Sequence, residues 1–197
     1  MKFIKSLAIV FAISISSNVS ASEWKIDKTH SNIGFATKHM IVTTVRGQFT
    51  DFDAVLIFDP DHPDKIEATC TIKAASINTN NEKRDNHLRG KGFFLTEEYP
   101  DITFVAKSIK PLGDHRYEIT SDLTMRGITK EVILQAEGFS VFNKTPWGKI
   151  VAFASLRATI NKDDFGLTWN KTLETGGFLV SKEVVLEIDL EMSKVEE

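Results

Sequence analysis

The chain has 197 residues, a formal net charge of −3, 42% hydrophobic residues and a single cysteine. A slightly acidic surface argues against a general nucleic-acid binder, which needs a basic face to meet phosphates. One cysteine cannot close an intramolecular disulfide, and past the first residues no stretch approaches the roughly 18 apolar residues of a membrane-spanning helix.

Residues 1–21 read as a secretory signal peptide. Lys2 and Lys5 precede an apolar run from Leu7 to Ile15, and the segment closes on Val19-Ser20-Ala21. These are the charged start, short apolar centre and small-residue cleavage site of such a leader. Cleavage after Ala21 leaves one domain, 22–197. It removes two lysines and no acid, so the net charge moves from −3 to −5. The compartment expected is the periplasm.

From Trp24 the pattern is mostly of period two, the mark of strands with one buried face. Trp24 and Ile26, then Ile33 and Phe35, bracket a polar break at 27–31. Residues 38–44 are less regular and suit a helical turn. Residues 45–59 read as one long strand with Phe52, Ala54, Leu56 and Phe58 on one face; Phe49 is out of phase with Phe52, which suggests a bulge at Gly47. The segment 59–64 is a loop by composition. Along 66–73, Ile66, Ala68, Cys70 and Ile72 alternate with Glu67, Thr69, Thr71 and Lys73, placing Cys70 on the apolar side as a buried thiol.

Thr79-Asn80-Asn81-Glu82 fits a capping box, with Thr79 as N-cap, so a short helix is predicted over about 80–89, ending on Gly90. Thr96 to Tyr99 suits a further helical turn halted by Pro100. Strands resume at 102–109, 117–125, 132–136, 150–160 and 181–192, separated by turns at Arg126-Gly127, by the loop 143–149, and by the polar turn 161–166. About eight strands with short turns and one helix predict an all-β fold, an antiparallel sandwich or a closed barrel. An eight-stranded barrel has room for side chains or one small ligand.

The chemistry-bearing residues concentrate in 76–104. Arg84 and His87 share a helical face, as do Asp85, Leu88 and Arg89. Two readings stand side by side. Arg84 and His87 hold the polar head of an amphiphile at a barrel mouth, since an Arg fork suits phosphate or carboxylate. Alternatively, Arg84 and Asp85 pair with loops and pin the helix across the barrel. Phe93 and Phe94 plug the barrel end. Phe35, Phe52, Phe104 and Phe153 fall within strands and are candidates for an apolar interior. The five histidines, His30, His39, His62, His87 and His115, lack metal-ligand spacing, and there is neither a G-x-S-x-G elbow nor a phosphate loop. A binding protein without metal or cofactor is expected rather than an enzyme.

The residues resemble one family along nearly the whole mature chain. The pattern begins with Trp24-x-Ile26-Asp27…His30-Ser31-x-Ile33-x-Phe35 and Gly47-x-Phe49-x-x-Phe52. It continues through Ser76-x-x-Thr79…Arg84-Asp85-x-His87-Leu88…Phe93-Phe94…Tyr99-Pro100-x-Ile102-x-Phe104, and ends with Leu123-Thr124-x-x-Gly127-x-Thr129-Lys130 and Asp164-Phe165. This is similar to the YceI-like family of exported bacterial proteins, also called polyisoprenoid-binding proteins. The resemblance implies a lipocalin-like, extended antiparallel β-barrel with an elongated apolar pore. As ligand it implies an isoprenoid, quinone or fatty-chain amphiphile, and as partner state a homodimer. The family's motif residues fall on His30, Arg84, Asp85 and His87, which makes His30, Arg84 and His87 candidates for polar-head contacts. A solidly packed barrel with a structural or stress-related role, or an enzyme acting on the same ligands through His30 or His87, are the alternatives.

Overall fold

A computed structural model describes residues 22–59, 62–174 and 176–195; the expected leader, 1–21, lies outside them. The strands are β1 (Ser22–Ile26), β2 (Asn32–His39), β3 (Thr43–Phe49), β4 (Phe52–Asp59), β5 (His62–Lys73), β6 (Ile77–Asn78), β7 (Asp101–Gly113), β8 (Arg116–Met125), β9 (Ile128–Lys144), β10 (Ile150–Asn161) and β11 (Val180–Lys194), with one α-helix, α1 (Glu82–Arg89). Eight of the strands form a closed antiparallel ring in the order β1, β4, β5, β7, β8, β9, β10, β11, because β1 pairs with both β4 and β11. The all-β barrel of about eight strands is thus the observed fold.

The other three strands prolong the ring at one end. β2 continues the line of β1 along β11, β3 pairs with β2, and β6 pairs with the end of β3. Three neighbouring strands are therefore interrupted at one level, at 27–31, 50–51 and 74–76. Hydrogen bonds stitch the gaps together: the Asp27 amide donates to Glu191 O (2.9 Å), the Lys73 amide to Asp51 O (2.9 Å) and the Asp51 amide to Ser76 Oγ (3.1 Å).

This corrects four expectations. The stretch 45–59 is two strands, and the phase change between Phe49 and Phe52 comes from the break at Thr50-Asp51. Gly47 is not a bulge, since the β2–β3 register runs through it unshifted. Glycine is required there for a different reason: a Cβ would lie 2.5 Å from the Phe35 ring and 2.7 Å from the Thr79 methyl. Residues 38–44 hold no helical turn; they are the ends of β2 and β3 and the turn between them. The strand β5 begins at His62, inside the stretch read as a loop.

The end of the barrel away from α1 is closed by an aromatic plug. Trp24 stacks on Phe58 (4.7 Å between centroids), Phe58 meets Phe139 edge-on (6.1 Å), and Phe139 meets Tyr117 (5.5 Å). The Trp24 indole donates to Phe58 O at 3.2 Å, so burial leaves its N–H satisfied. Phe139 reaches the plug through a bulge: Ser140 faces Phe153 while Gly138 faces Ala154, leaving Phe139 as the extra residue. Gly138 has φ 107°, and a Cβ there would lie 2.4 Å from Phe153 O.

Candidate functional site

Above the plug the barrel is hollow. A cavity of about 120 Å³ runs between inward side chains that include Phe35, Phe49, Cys70, Phe104, Leu186, Ile188 and Leu190, and not one of its lining residues is charged. Inward-facing Phe35, Phe104, Leu186 and Ile188 stay only partly buried, although they sit on the core face, because the opposite walls do not meet. A water held there would lack the two to four polar partners it needs, so the space suits an apolar chain. The Cys70 thiol lies in this wall, and burial pushes its pKa up to about 12, helped by the negative charge of Asp53. It is a half-buried thiol.

Phe35 also lines two further cavities, of about 100 and 210 Å³, that lead toward α1. The first is walled by Phe49, Ile77, Leu88, Phe93, Phe94 and Leu186. Thr37 and Lys162 also border this first space. The second is the mouth, where polar groups gather: Thr37, His39, Thr79, Arg84 and His87 stand among Val45, Leu88, Trp169, Leu179 and Val180. The sequence of spaces runs from a greasy interior to a polar rim.

Local chemistry positions α1 across this mouth. Its N-cap is Asn81, whose side-chain oxygen accepts from the Arg84 amide at 3.0 Å, and its first turn carries Glu82 and Asp85. The helix thus starts two residues later than the box on Thr79 predicts, because Thr79 is engaged elsewhere. Asp85 is buried and accepts from the Thr79 amide (2.9 Å) and from the Thr79 hydroxyl. Arg84 Nε donates to that same hydroxyl oxygen, and its Nη2 donates to Thr79 O, both at 2.7 Å. Arg89 ties the other end of α1 to Ala75 O (2.8 Å) and Ile77 O (3.0 Å). Gly90 ends the helix with an extended backbone (φ −76°), not the left-handed turn of a C′ glycine.

The candidates from the sequence divide accordingly. Phe35 and Phe104 line the interior cavity. Phe52 is buried in the core beside it, with Lys28 Nζ 5.8 Å from its ring centroid, and is absent from the cavity wall. Phe153 faces outward at 37% exposure, since its neighbours Ala152 and Ala154 take the inner face of β10. The placement of Phe153 inside the barrel is therefore corrected. Arg84 and His87 are together at the mouth. His87 packs edge-on against Phe93 (5.2 Å) and Trp169 (4.6 Å). Asp85 braces the fold; Arg84 braces Thr79 with two donors while its Nη1 makes no hydrogen bond among the described residues.

His30 stands apart from the mouth, in the gap between β1 and β2. Its Nδ1 is 3.1 Å from Asp27 Oδ2 and 4.0 Å from Glu191 Oε1. Hydrogen bonding to Asp27 raises the His30 pKa, with the charges of Asp27 and Glu191 adding to it, and the same bond lowers that of Asp27. Among the described residues this trio is the group whose side chains come near enough to share a metal ion; the His30–Asp27 hydrogen bond and the attraction of Glu191 for His30 account for the arrangement.

Sequence reasoning missed His39, Trp169, Leu179 and Val180 at the mouth, and Lys162 beneath it. Lys162 is 4% exposed; its ammonium donates to Leu167 O (2.6 Å) and Asp163 Oδ1 (2.8 Å), and so shapes the chain that carries Trp169. That bond is the largest cause holding the Asp163 carboxyl below its usual range.

A closed eight-stranded antiparallel barrel, plugged at one end, hollow in the middle and roofed by a short helix at the other, defines the lipocalin-like class. Residues 24–192 match the family model described as the YceI-like domain, and the chain belongs to that family. A UPF0312 protein of Staphylococcus aureus (strain MSSA476) is 38% identical over 173 residues, covering 87% of this chain and 98% of that one. The crystal structure of the Campylobacter jejuni YCEI protein is 35% identical with a TM-score of 0.70, over 81% of this chain and 90% of the other. A polyisoprenoid binding domain from Saccharophagus degradans, implicated in plant cell wall breakdown, shares the fold at 16% identity and a TM-score of 0.65, over 87% and 98% of the two chains.

Proposed function

We propose that this chain is a periplasmic lipid-binding protein that sequesters or carries a long-chain amphiphile: a polyisoprenoid, an isoprenoid quinone or a fatty-chain lipid. The observation that carries this reading is the uncharged interior cavity, which shares its Phe35 wall with two further spaces, the outer one being a mouth where Arg84 and His87 stand. The chain of the ligand lies in the barrel, each buried methylene contributing about 0.8 kcal/mol before the cost of ordering. The head stays at the mouth, where Arg84 Nη1, without a hydrogen bond among the described residues, can donate to an anionic or carbonyl oxygen. The leader expected from the sequence of residues 1–21 supports the compartment, and the polyisoprenoid binding domain of like fold supports the ligand class.

Native mass spectrometry and organic extraction of the purified protein test it. A stoichiometric lipid is expected. A protein that is isolated empty, and stays empty when offered a polyprenyl phosphate, a quinone and a fatty acid in turn, overturns the proposal.

A further inference from the structure

The turn from β2 to β3 is made of Met40, Ile41 and Val42, all exposed, Ile41 at 67% and Val42 at 79%. Met40 and Ile41 sit at φ 50° and 68°, in the left-handed region that glycine and asparagine hold at least cost and a β-branched residue resists. Turn chemistry asks for small polar residues here. The chain instead presents three large apolar ones to solvent, against both backbone preference and hydration.

A second apolar side chain joins them. Residues 171–174 and 176–179 pair as the two arms of a hairpin in which the Leu179 amide donates to Lys171 O at 2.8 Å, and Phe178 near its end is 45% exposed. The Met40 amide donates to Leu179 O at 2.8 Å, so turn and hairpin stand side by side. Leu179, Val180 and His39, at their base, line the mouth of the channel. Lysines ring the apolar tip. Lys38 Nζ lies 2.8 Å from Thr44 Oγ1 and 3.4 Å from Val42 O, Lys182 Nζ lies 5.3 Å from the Phe178 ring centroid and 3.0 Å from Asp163, and Lys171 is exposed. Glu174 is the acid of the hairpin.

We propose that this rim is a docking surface for an anionic lipid bilayer, onto which the channel mouth opens. The apolar tip enters the boundary between head groups and acyl chains, while Lys38, Lys171 and Lys182 meet lipid phosphates with their stems lying along the apolar surface. A bilayer fits better than a second protein. Four projecting side chains fall well short of the roughly 800 Å² per partner in a stable protein interface, whereas shallow insertion with basic flanks needs no more. The docking surface stands on its own geometry; only its purpose, passing a chain between bilayer and barrel, rests on the function proposed above.

The test is co-sedimentation of the folded protein with vesicles of phosphatidylethanolamine containing about a quarter phosphatidylglycerol, set against phosphatidylcholine alone. Binding to the anionic vesicles is expected. The double variant Ile41→Asn, Val42→Ser should weaken it by at least about tenfold and keep its melting temperature, because asparagine suits the φ at 41. Lys38→Gln and Lys182→Gln should each weaken it by about fivefold. Trp147→Ala should leave it unchanged; Trp147, 86% exposed, lies in the β9–β10 loop at the opposite end of the barrel.

Absence of vesicle binding by the wild type overturns the proposal. So does loss of binding in Trp147→Ala with full binding by the double variant, or a dimer in size-exclusion chromatography that Ile41→Asn dissolves, which would assign the rim to a second copy. Native mass spectrometry of the same preparations separates the two readings. A lipid-loaded protein that ignores vesicles refutes the docking surface, and one that binds them but stays empty even when offered a polyprenyl phosphate, a quinone and a fatty acid refutes the channel as a lipid site.

Discussion

Whether the barrel interior is open space or merely loose packing is decided by enlarging one side chain. Phe104 lies on the inner face between Cys70 on β5 and Leu123 on β8, and all three line the cavity of about 120 Å³. In Phe104→Trp the extra ring enters that space. A close-packed core would charge about 1–3 kcal/mol for the added atoms, lowering Tm by about 2–12 °C for a chain of this size, at roughly 2–4 °C per kcal/mol. An open channel accepts the indole within about 0.5 kcal/mol, a shift under about 2 °C, and loses room for its ligand. Phe153→Trp, on the outer face of β10, serves as the control and changes neither property. Thermal unfolding by circular dichroism gives the first readout, and lipid content by native mass spectrometry gives the second. A fall of more than about 4 °C in Phe104→Trp with lipid content unchanged would refute the hollow interior and favour a packed structural barrel.

Three further outcomes are expected. Asp85→Asn keeps the shape but weakens the paired bonds to Thr79, so chemical denaturation should show a loss of about 1.5–3 kcal/mol, with Arg84 released from its geometry. For His30 the raised pKa means its stabilising contribution is fully present below the unfolded value of about 6.5 and is lost as pH rises through the folded value. The lowered Asp27 gives the opposite limb, present above about 3.9 and lost as pH falls through its folded value. NMR titration should place the His30 midpoint above about 6.5 and return it toward that value in Asp27→Asn; no change between the two proteins would discredit the pairing. Finally, the Cys70 thiol, raised to about 12 in the cavity wall, should resist iodoacetamide at pH near 8 in the folded protein and react once it is denatured.

Part of the candidate site is legible in the sequence, and what is not has identifiable physical causes. The helix at the mouth was marked by its capping residues, but Thr79 and Asn81 are both acceptable N-caps, and only the buried Asp85 beside Thr79 decides between them. Phe153 could have been placed outside from its own strand, where Leu156 and Ile160 share the parity of Ala154 while Arg157 and Thr159 share that of Phe153. The mouth residues Trp169, Leu179 and Val180 carry no such signal. They come from irregular chain and a strand end far from α1 in sequence: Trp169 meets His87 where its amide donates to Gly92 O, and Leu179 and Val180 reach the mouth because β11 pairs with β2.

The sequence by itself determined the alternation of faces, hence an antiparallel all-β chain, and the residues that mark the family. Those properties are local: a period of two and a cap are set by neighbours along the chain. What only the tertiary structure decided is that three adjacent strands break at one level, that aromatic residues from four strands plug one end, and that the walls above the plug stand apart. Alternation says which side chains point inward, but the distance between opposite walls is set by how the ring closes, and no residue encodes that alone.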